Sequence, residues 1–358
     1  MSDAYARAGV DMSGAADAVG ALVAVLRTID PGRPSRSRVA PGHYASVLEV
    51  APNLGVALCT DGVGSKVILA EQTGRFDTVG IDCVAMNVND IICVGAEPLA
   101  LLDYLAVEHA DPGMLREIGA GLKAGAELAG VEIPGGELAQ LPELIRGHPS
   151  PHGFDLTAAC FGTVALDALV TGTACAPGDV LIGLPASGLH SNGYTLARRV
   201  LLETGGLGLD DTPDELEGAS VAGALLEPTV IYVRAVRELL DSDVPVHGLA
   251  HITGEGVLNL LRLEAAVGYE IGAPLPAHGI FTLVQRLGGV SDADMQRTFN
   301  MGCGFVAAVP AGHAEEAAGR LAAHHPGARP IGTVTADAGR VALPTHGLAG
   351  DEDGLRRT

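Results

Sequence analysis

Within seven residues, Thr60-Asp61-Gly62-Val63-Gly64-Ser65-Lys66 sets a carboxylate, two glycines and a lysine directly behind an apolar run. A carboxylate at the end of a buried strand can project into a cleft, and glycines let a backbone approach a ligand closely. Asp61 reads equally as a plain Asp-Gly turn. The chain has 22 basic residues, and only Lys66 and Lys123 among them are lysines. A compact point charge in place of Arg suits phosphate, with chance placement as the alternative. Further on, Asn87 and Asp90 share a helix face at i,i+3; Asp90 is either a ligand or a solvated or capping residue. Glu137 follows Gly135-Gly136, another place for close approach. Magnesium takes oxygen ligands from dispersed carboxylates and completes its shell with nucleotide phosphates. Asp61, Asp90 and Glu137, with Lys66 and the glycines, therefore describe a phosphate and magnesium site. Neither a Walker motif nor G-x-G-x-x-G accompanies it.

Two further loops carry polar groups. Leu189-His190-Ser191-Asn192-Gly193-Tyr194 opens a helix, where Ser191 or Asn192 acts as a simple cap or leaves N–H groups for an anion. The second, His251-Ile252-Thr253-Gly254-Glu255-Gly256, ends a strand in a glycine turn, and His251 is a structural histidine or a catalytic one. The six cysteines form no C-x-x-C pair and read as buried free thiols of a reducing compartment.

Alternating strands and helices must position these groups. The pattern predicts helices at 13–28, 78–95 and 112–130, strands at 54–60, 99–107 and 155–165, and a loop over Gly136–Pro142. After a turn-rich stretch at 167–179 come a strand at 180–185, a helix at 194–203, a helix at 228–240 and a strand at 246–252. A helix after Gly256, helices near Phe281 and Asp292, a strand at 305–309, a helix at 314–324 and short terminal strands complete the chain. This order implies an α/β (α+β) protein of two domains, 1–168 and 169–358.

Composition narrows the function. A net charge of −21 leaves no basic surplus for a nucleic-acid duplex. The longest charge-free stretches are broken by Pro, Gly, His and Asn, so no membrane span is expected. With no apolar signal core near Asp3 and Arg7, a soluble, cytoplasmic protein is expected.

Read in order, the motifs resemble the phosphoribosylformylglycinamidine cyclo-ligase (aminoimidazole ribonucleotide synthetase) family. The matching stretches are Tyr5–Asp11, Thr60–Lys66, Gly80–Asp90, Gly95–Pro98, Leu102–Tyr104, Gly135–Glu137, His190–Tyr194, His251–Gly254 and Arg297–Gly304. The resemblance implies a homodimer whose N-terminal sheets close into a barrel, a C-terminal α/β sandwich, and ATP and substrate in a cleft between the domains. It implies that ATP, with Mg2+, activates the formyl oxygen of formylglycinamidine ribonucleotide for ring closure. By the same resemblance Asp61, Asp90 and Glu137 hold magnesium. Lys66, Gly62, Gly64, Asn87, Gly136, Thr253 and Gly254 meet the nucleotide, Ser191 and Asn192 the substrate, and Lys66, His190 and His251 the reacting groups. The family's usual glycine-rich, phenylalanine-containing loop is replaced by Pro41-Gly42-His43-Tyr44-Ala45-Ser46, Gln140 stands where a second glutamate is common, and Glu255 interrupts a glycine run. The alternatives are a related ATP-dependent enzyme phosphorylating another small molecule, and a non-catalytic nucleotide-binding paralogue.

Overall fold

The computed structural model describes residues 12–358, so the Tyr5–Asp11 motif lies outside the described residues. The first half runs α1 (Met12–Leu26), β1 (Ser46–Ala51), β2 (Leu54–Gly62), α2 (Val67–Thr73), α3 (Val79–Ile92), β3 (Glu97–Val107), α4 (Pro112–Ala129), β4 (Glu132–Gln140) and β5 (Phe154–Ala165). Its five strands lie in the order β1-β2-β5-β3-β4. Strand β1 was not anticipated from the sequence. Its hairpin turn, Pro52-Asn53 with Asn53 at φ 56°, is the Pro-then-left-handed pair of a tight turn.

The expected loop after Gly135 is instead part of β4, paired in parallel with β3. The physical reason is a strand–helix–strand crossover through α4, which returns the chain alongside β3. Gly136 suits this strand because a Cβ there would overlap the Asp103 carboxylate. Helix α3 crosses β2 and β5 and packs on α4, covering one sheet face. On the other face Leu58, Leu102, Tyr104 and Phe161 stay exposed. The apolar positions Val19, Leu22 and Leu26 of α1 are exposed too, so its stripe covers no core here.

The second half contains β6 (Val180–Pro185), α5 (Tyr194–Arg198), α6 (Val221–Leu226), α7 (Val233–Leu240), β7 (Gly248–His251), β8 (Gly268–Glu270), α8 (Gly279–Gly288), α9 (Asp292–Thr298), β9 (Cys303–Val309), α10 (Ala314–His324), β10 (Arg329–Thr335), β11 (Val341–Leu343), β12 (Leu348–Asp351) and β13 (Gly354–Arg357). Its sheet has the order β13-β12-β11-β8-β10-β6-β9-β7, with β9 buried along its whole length. The helix expected from Pro228 begins only at Val233. Asp82 and Asn89 of α3 capture the backbone N–H groups of Thr229 and Tyr232 at 2.8 and 3.0 Å, holding 229–232 out of a helix. The segment after Gly256 is a 3-10 helix to Arg262, and α5 passes into a π-helical stretch to Thr204. Buried apolar side chains of both halves form one continuous core. Among the described residues no helix is long and apolar enough to cross a membrane.

Candidate active site

Asp61 stands at the end of β2, and α3 fixes it there. Asn87 accepts from the Asp61 N–H at 3.1 Å and donates to the Asp61 carbonyl at 3.0 Å. The Asp61 carboxylate takes the Gly62 N–H at 2.7 Å, so the Asp-Gly turn and the cleft-facing carboxylate are the same feature. Burial, and then the neighbouring Asp90 charge, raise the Asp61 carboxyl above its ordinary range. One turn beyond Asn87, the Asp90 carboxylate meets His251 Nδ1 at 2.9 Å. His251 closes β7, is fully buried, and its Nε2 has no hydrogen-bond partner. A carboxylate on Nδ1 fixes the proton there and leaves the Nε2 lone pair for another group.

The loops expected at the site do converge. Gly64, at φ 69°, brings the Asp61 loop against the Ser191 carbonyl, and Ser65 Oγ lies 3.2 Å from Thr195 Oγ1. Ser191 Oγ lies 3.2 Å from Thr229 Oγ1. Asn192 rests on Gly254, where a Cβ would come within 3.2 Å of its Oδ1. The Thr253 N–H is taken by Asn259 Oδ1 at 2.7 Å, which shapes the turn carrying Gly254. Neither Ser191 nor Asn192 caps α5, whose N-cap is Gly193. His190 is buried, and its Nε2 accepts the Ser187 N–H at 3.2 Å. Burial first, then His251, Lys66 and His278, push its pKa well below the usual histidine range, so the ring is neutral.

Two expected ligands stand elsewhere. Lys66 is fully buried, and its Nζ reaches Asp82 Oδ2 at 2.7 Å, the Glu227 carbonyl at 2.7 Å and the His190 carbonyl at 3.1 Å. All three protons of the ammonium are engaged, so none is left for a phosphate. Its lysine identity follows from this three-acceptor nest. Burial lowers its pKa, opposed by Asp82. Glu137 is the second correction. Register places Asp61, Ala158, Asp103 and Gly136 in one row across the sheet, and Gly62, Thr157, Tyr104 and Glu137 in the next. Adjacent rows face opposite sides, so Glu137 lies beside exposed Tyr104, away from Asp61. Among the described residues no three His, Cys, Asp or Glu side chains form a metal-sized cluster. Asp61 and Asp90 alone still fit magnesium, which is commonly held by one or two carboxylates plus substrate phosphates.

Beside this pair opens a cleft of about 630 Å³, a volume suited to a small organic ligand. One wall is the Ala40–His43 strap from the first half; the other comprises Gly254, Glu255 and Arg262. The strap is pinned across the halves: Glu264 takes the Ala40 N–H at 3.0 Å, Tyr44 Oη donates to the Asn259 carbonyl at 2.8 Å, and Arg262 lies over the Tyr44 ring. The cysteines nearest these groups are Cys59, whose Sγ donates to the Asn87 carbonyl at 3.2 Å, and Cys93. A hydrogen bond with Cys160 and burial push the Cys59 thiol far up, and burial does the same to Cys93, so neither is a poised nucleophile.

Comparison with known proteins now bears on this geometry. The family described as AIR synthase related protein matches with its N-terminal domain over residues 42–164 and its C-terminal domain over residues 176–343. A phosphoribosylformylglycinamidine cyclo-ligase of Thermococcus gammatolerans is 46% identical over 350 residues, 96% of this chain and 98% of the relative. The chain belongs to the phosphoribosylformylglycinamidine cyclo-ligase family. Its cyclo-ligase relative in Methanothermobacter thermautotrophicus is 49% identical over 297 residues, 82% of this chain and 83% of the other. Among solved structures, a hydrogenase maturation protein HypE in complex with ATP shares the fold, with a TM-score of 0.58 and 20% identity over 84% of each chain. For a cyclo-ligase, the sequence reading missed Asp82, Asn89 and Thr229 as the joint between halves. Asp82 and Asn89, two of the four polar residues on a largely apolar helix, were the available signal. It also gave no role to Arg262 and Arg297 in the cleft.

Proposed function

We propose that this chain catalyses ATP-dependent ring closure of formylglycinamidine ribonucleotide to aminoimidazole ribonucleotide, with release of ADP and phosphate, in purine biosynthesis. Beyond family membership, the observation that carries this reading is the Asp90–His251 pair, with one imidazole nitrogen free, beside Asp61 and a ligand-sized cleft. ATP transfers its terminal phosphoryl group to the formyl oxygen. An amidine nitrogen then attacks that carbon, and the carbon–oxygen bond breaks as phosphate leaves. His251 Nε2 takes the proton from the attacking nitrogen while Asp90 stabilises the resulting imidazolium. Asp61 and Asp90 would hold Mg2+, which when bound neutralises charge on the moving phosphoryl group. Asn192 and Ser191, set against Gly254 and Thr229, orient the ribose side of the substrate. Neutral His190 walls the site and keeps water out.

Two domains, 1–168 and 169–358, meet at this cleft in our reading. The exposed apolar face of the first sheet supports a homodimer in which two such sheets close on each other, because a contiguous apolar face is an association surface. Glu137 and Tyr104 then lie inside that interface. Six free thiols support a reducing, cytoplasmic setting. The test is phosphate release from ATP and magnesium, with and without formylglycinamidine ribonucleotide, while following the aminoimidazole product. Substrate-dependent release matched by product is the expected result. Release without that product would point to another acceptor, and ATP binding without release to a non-catalytic paralogue.

A further inference from the structure

The cleft carries an arginine that the chemistry above leaves unused. Arg297 lies in the last turn of α9, half-buried, and lines the same cleft as the strap. Among the described residues its guanidinium has neither a hydrogen bond nor an ion pair; its neighbour is the backbone of Gly354, where a Cβ would stand 3.6 Å from Nη1. The other charged groups of the cleft are occupied. Glu255 accepts from Arg262 at 3.1 Å and Asn259 at 3.3 Å, Glu264 holds the strap through Ala40, and Asp294 is bound by Ser291 Oγ at 2.9 Å. Besides Arg297, Glu352, exposed at the rim, and the ring of His43 are without a hydrogen-bond partner among the described residues. In a chain of 43 acidic and 22 basic residues, a half-buried arginine facing a cavity and left unpaired is a conspicuous anion donor. A guanidinium presents a planar fork that matches a phosphate oxygen pair. Neither Asp61 nor Asp90 lines the cleft, so its Arg297 end is separate from the place where ATP phosphates would meet those carboxylates.

We propose that Arg297 forms the phosphomonoester end of the cleft and grips the 5′-phosphate of the ribonucleotide, with the Ala40–His43 strap closing over it. This rests on the ribonucleotide cyclisation reading only for the identity of the ligand. The orientation follows: phosphate at α9, ribose past Gly254 and Asn192, and the reacting formyl and amidine groups at His251.

The experiment pairs steady-state kinetics with binding of ribose 5-phosphate by calorimetry, on the full chain and on Arg297→Ala and Arg297→Lys. In Arg297→Ala, KM for formylglycinamidine ribonucleotide should rise about ten- to a hundredfold, the loss of one charged hydrogen-bonding group. KM for ATP and kcat should stay within about threefold, and ribose 5-phosphate binding should be lost. Arg297→Lys, which keeps the charge without the fork, should fall between; it carries the test if the alanine variant melts early. An unchanged ribonucleotide KM with active wild-type enzyme, or a rise confined to the ATP KM, would overturn the proposal. If the wild type closes no ring yet binds ribose 5-phosphate through Arg297, the phosphate end stands and the cyclo-ligase reading falls.

Discussion

Two buried pairs of ionisable side chains tie the halves of this molecule together, and they are built to opposite ends. Lys66–Asp82 is saturated: three acceptors surround the ammonium, and Asp82 Oδ1 additionally takes the Thr229 N–H and hydroxyl. Asp90–His251 is left open, with His251 Nε2 buried and bare. A buried polar atom without a partner costs free energy, and such a cost is characteristically kept where a ligand completes the bonding. We therefore assign the Lys66–Asp82 pair to the joint and, in the function proposed above, the Asp90–His251 pair to the chemistry. Two lone-looking residues, one lysine and one histidine, thus have opposite roles although both are fully buried.

The contrast can be broken by substitution, starting with the largest effect. Lys66→Met leaves Asp82 buried with no countercharge, so we expect a loss of about 3–5 kcal/mol in unfolding free energy, read by urea denaturation. A loss below about 1 kcal/mol would deny the joint. His251→Gln keeps volume and removes the base; kcat should fall about a hundredfold with the melting temperature within a few degrees of wild type. Equal losses of stability in both variants would erase the distinction between the pairs. His190 sharpens the comparison through pH. Its folded pKa is lowered, so the unfolded chain binds the extra proton, and its stabilising contribution is full above about pH 6.5 and lost as pH falls below it. His190→Gln should flatten the acid limb of the stability curve by up to one proton's slope, about 1.4 kcal/mol per pH unit; an unaltered limb would mean the ring is already charged. Glu137→Gln should be the mildest, with kcat within about threefold, since Glu137 shares no face with Asp61. A hundredfold loss there would place a third carboxylate in the site after all.

Much of the frame was legible, because period and turn chemistry are local. Strands β2, β3, β5 and β6 and helices α3, α4 and α10 follow from apolar runs and glycine or proline boundaries close to those observed. Strand β4 was not legible: a Gly-Gly-Glu run reads as a loop until Asp103 is seen to rest on Gly136. The start of α7 was displaced for a similar reason, since Asp82 and Asn89, some 140 residues earlier, claim the backbone that would have opened it. At the site, sequence placed Asp61, Asn87, Asp90 and the three polar loops together. Lys66 deceived because scarcity in a composition does not distinguish a phosphate ligand from a fully satisfied internal cation. Spacing along the chain likewise could not reveal that Glu137 faces away, which is decided by register between strands.

The most direct measurement is the single-turnover rate of ring closure, per folded molecule, in Asp90→Asn and Lys66→Met side by side. Asp90→Asn keeps the shape, removes the charge that faces His251 and that, in the proposed function, holds the cation, and should slow closure about a thousandfold. Lys66→Met, once corrected for its unfolded fraction, should close the ring within about threefold of wild type. A wild-type rate in Asp90→Asn, or a thousandfold loss in folded Lys66→Met, would reverse the assignment of joint and active pair.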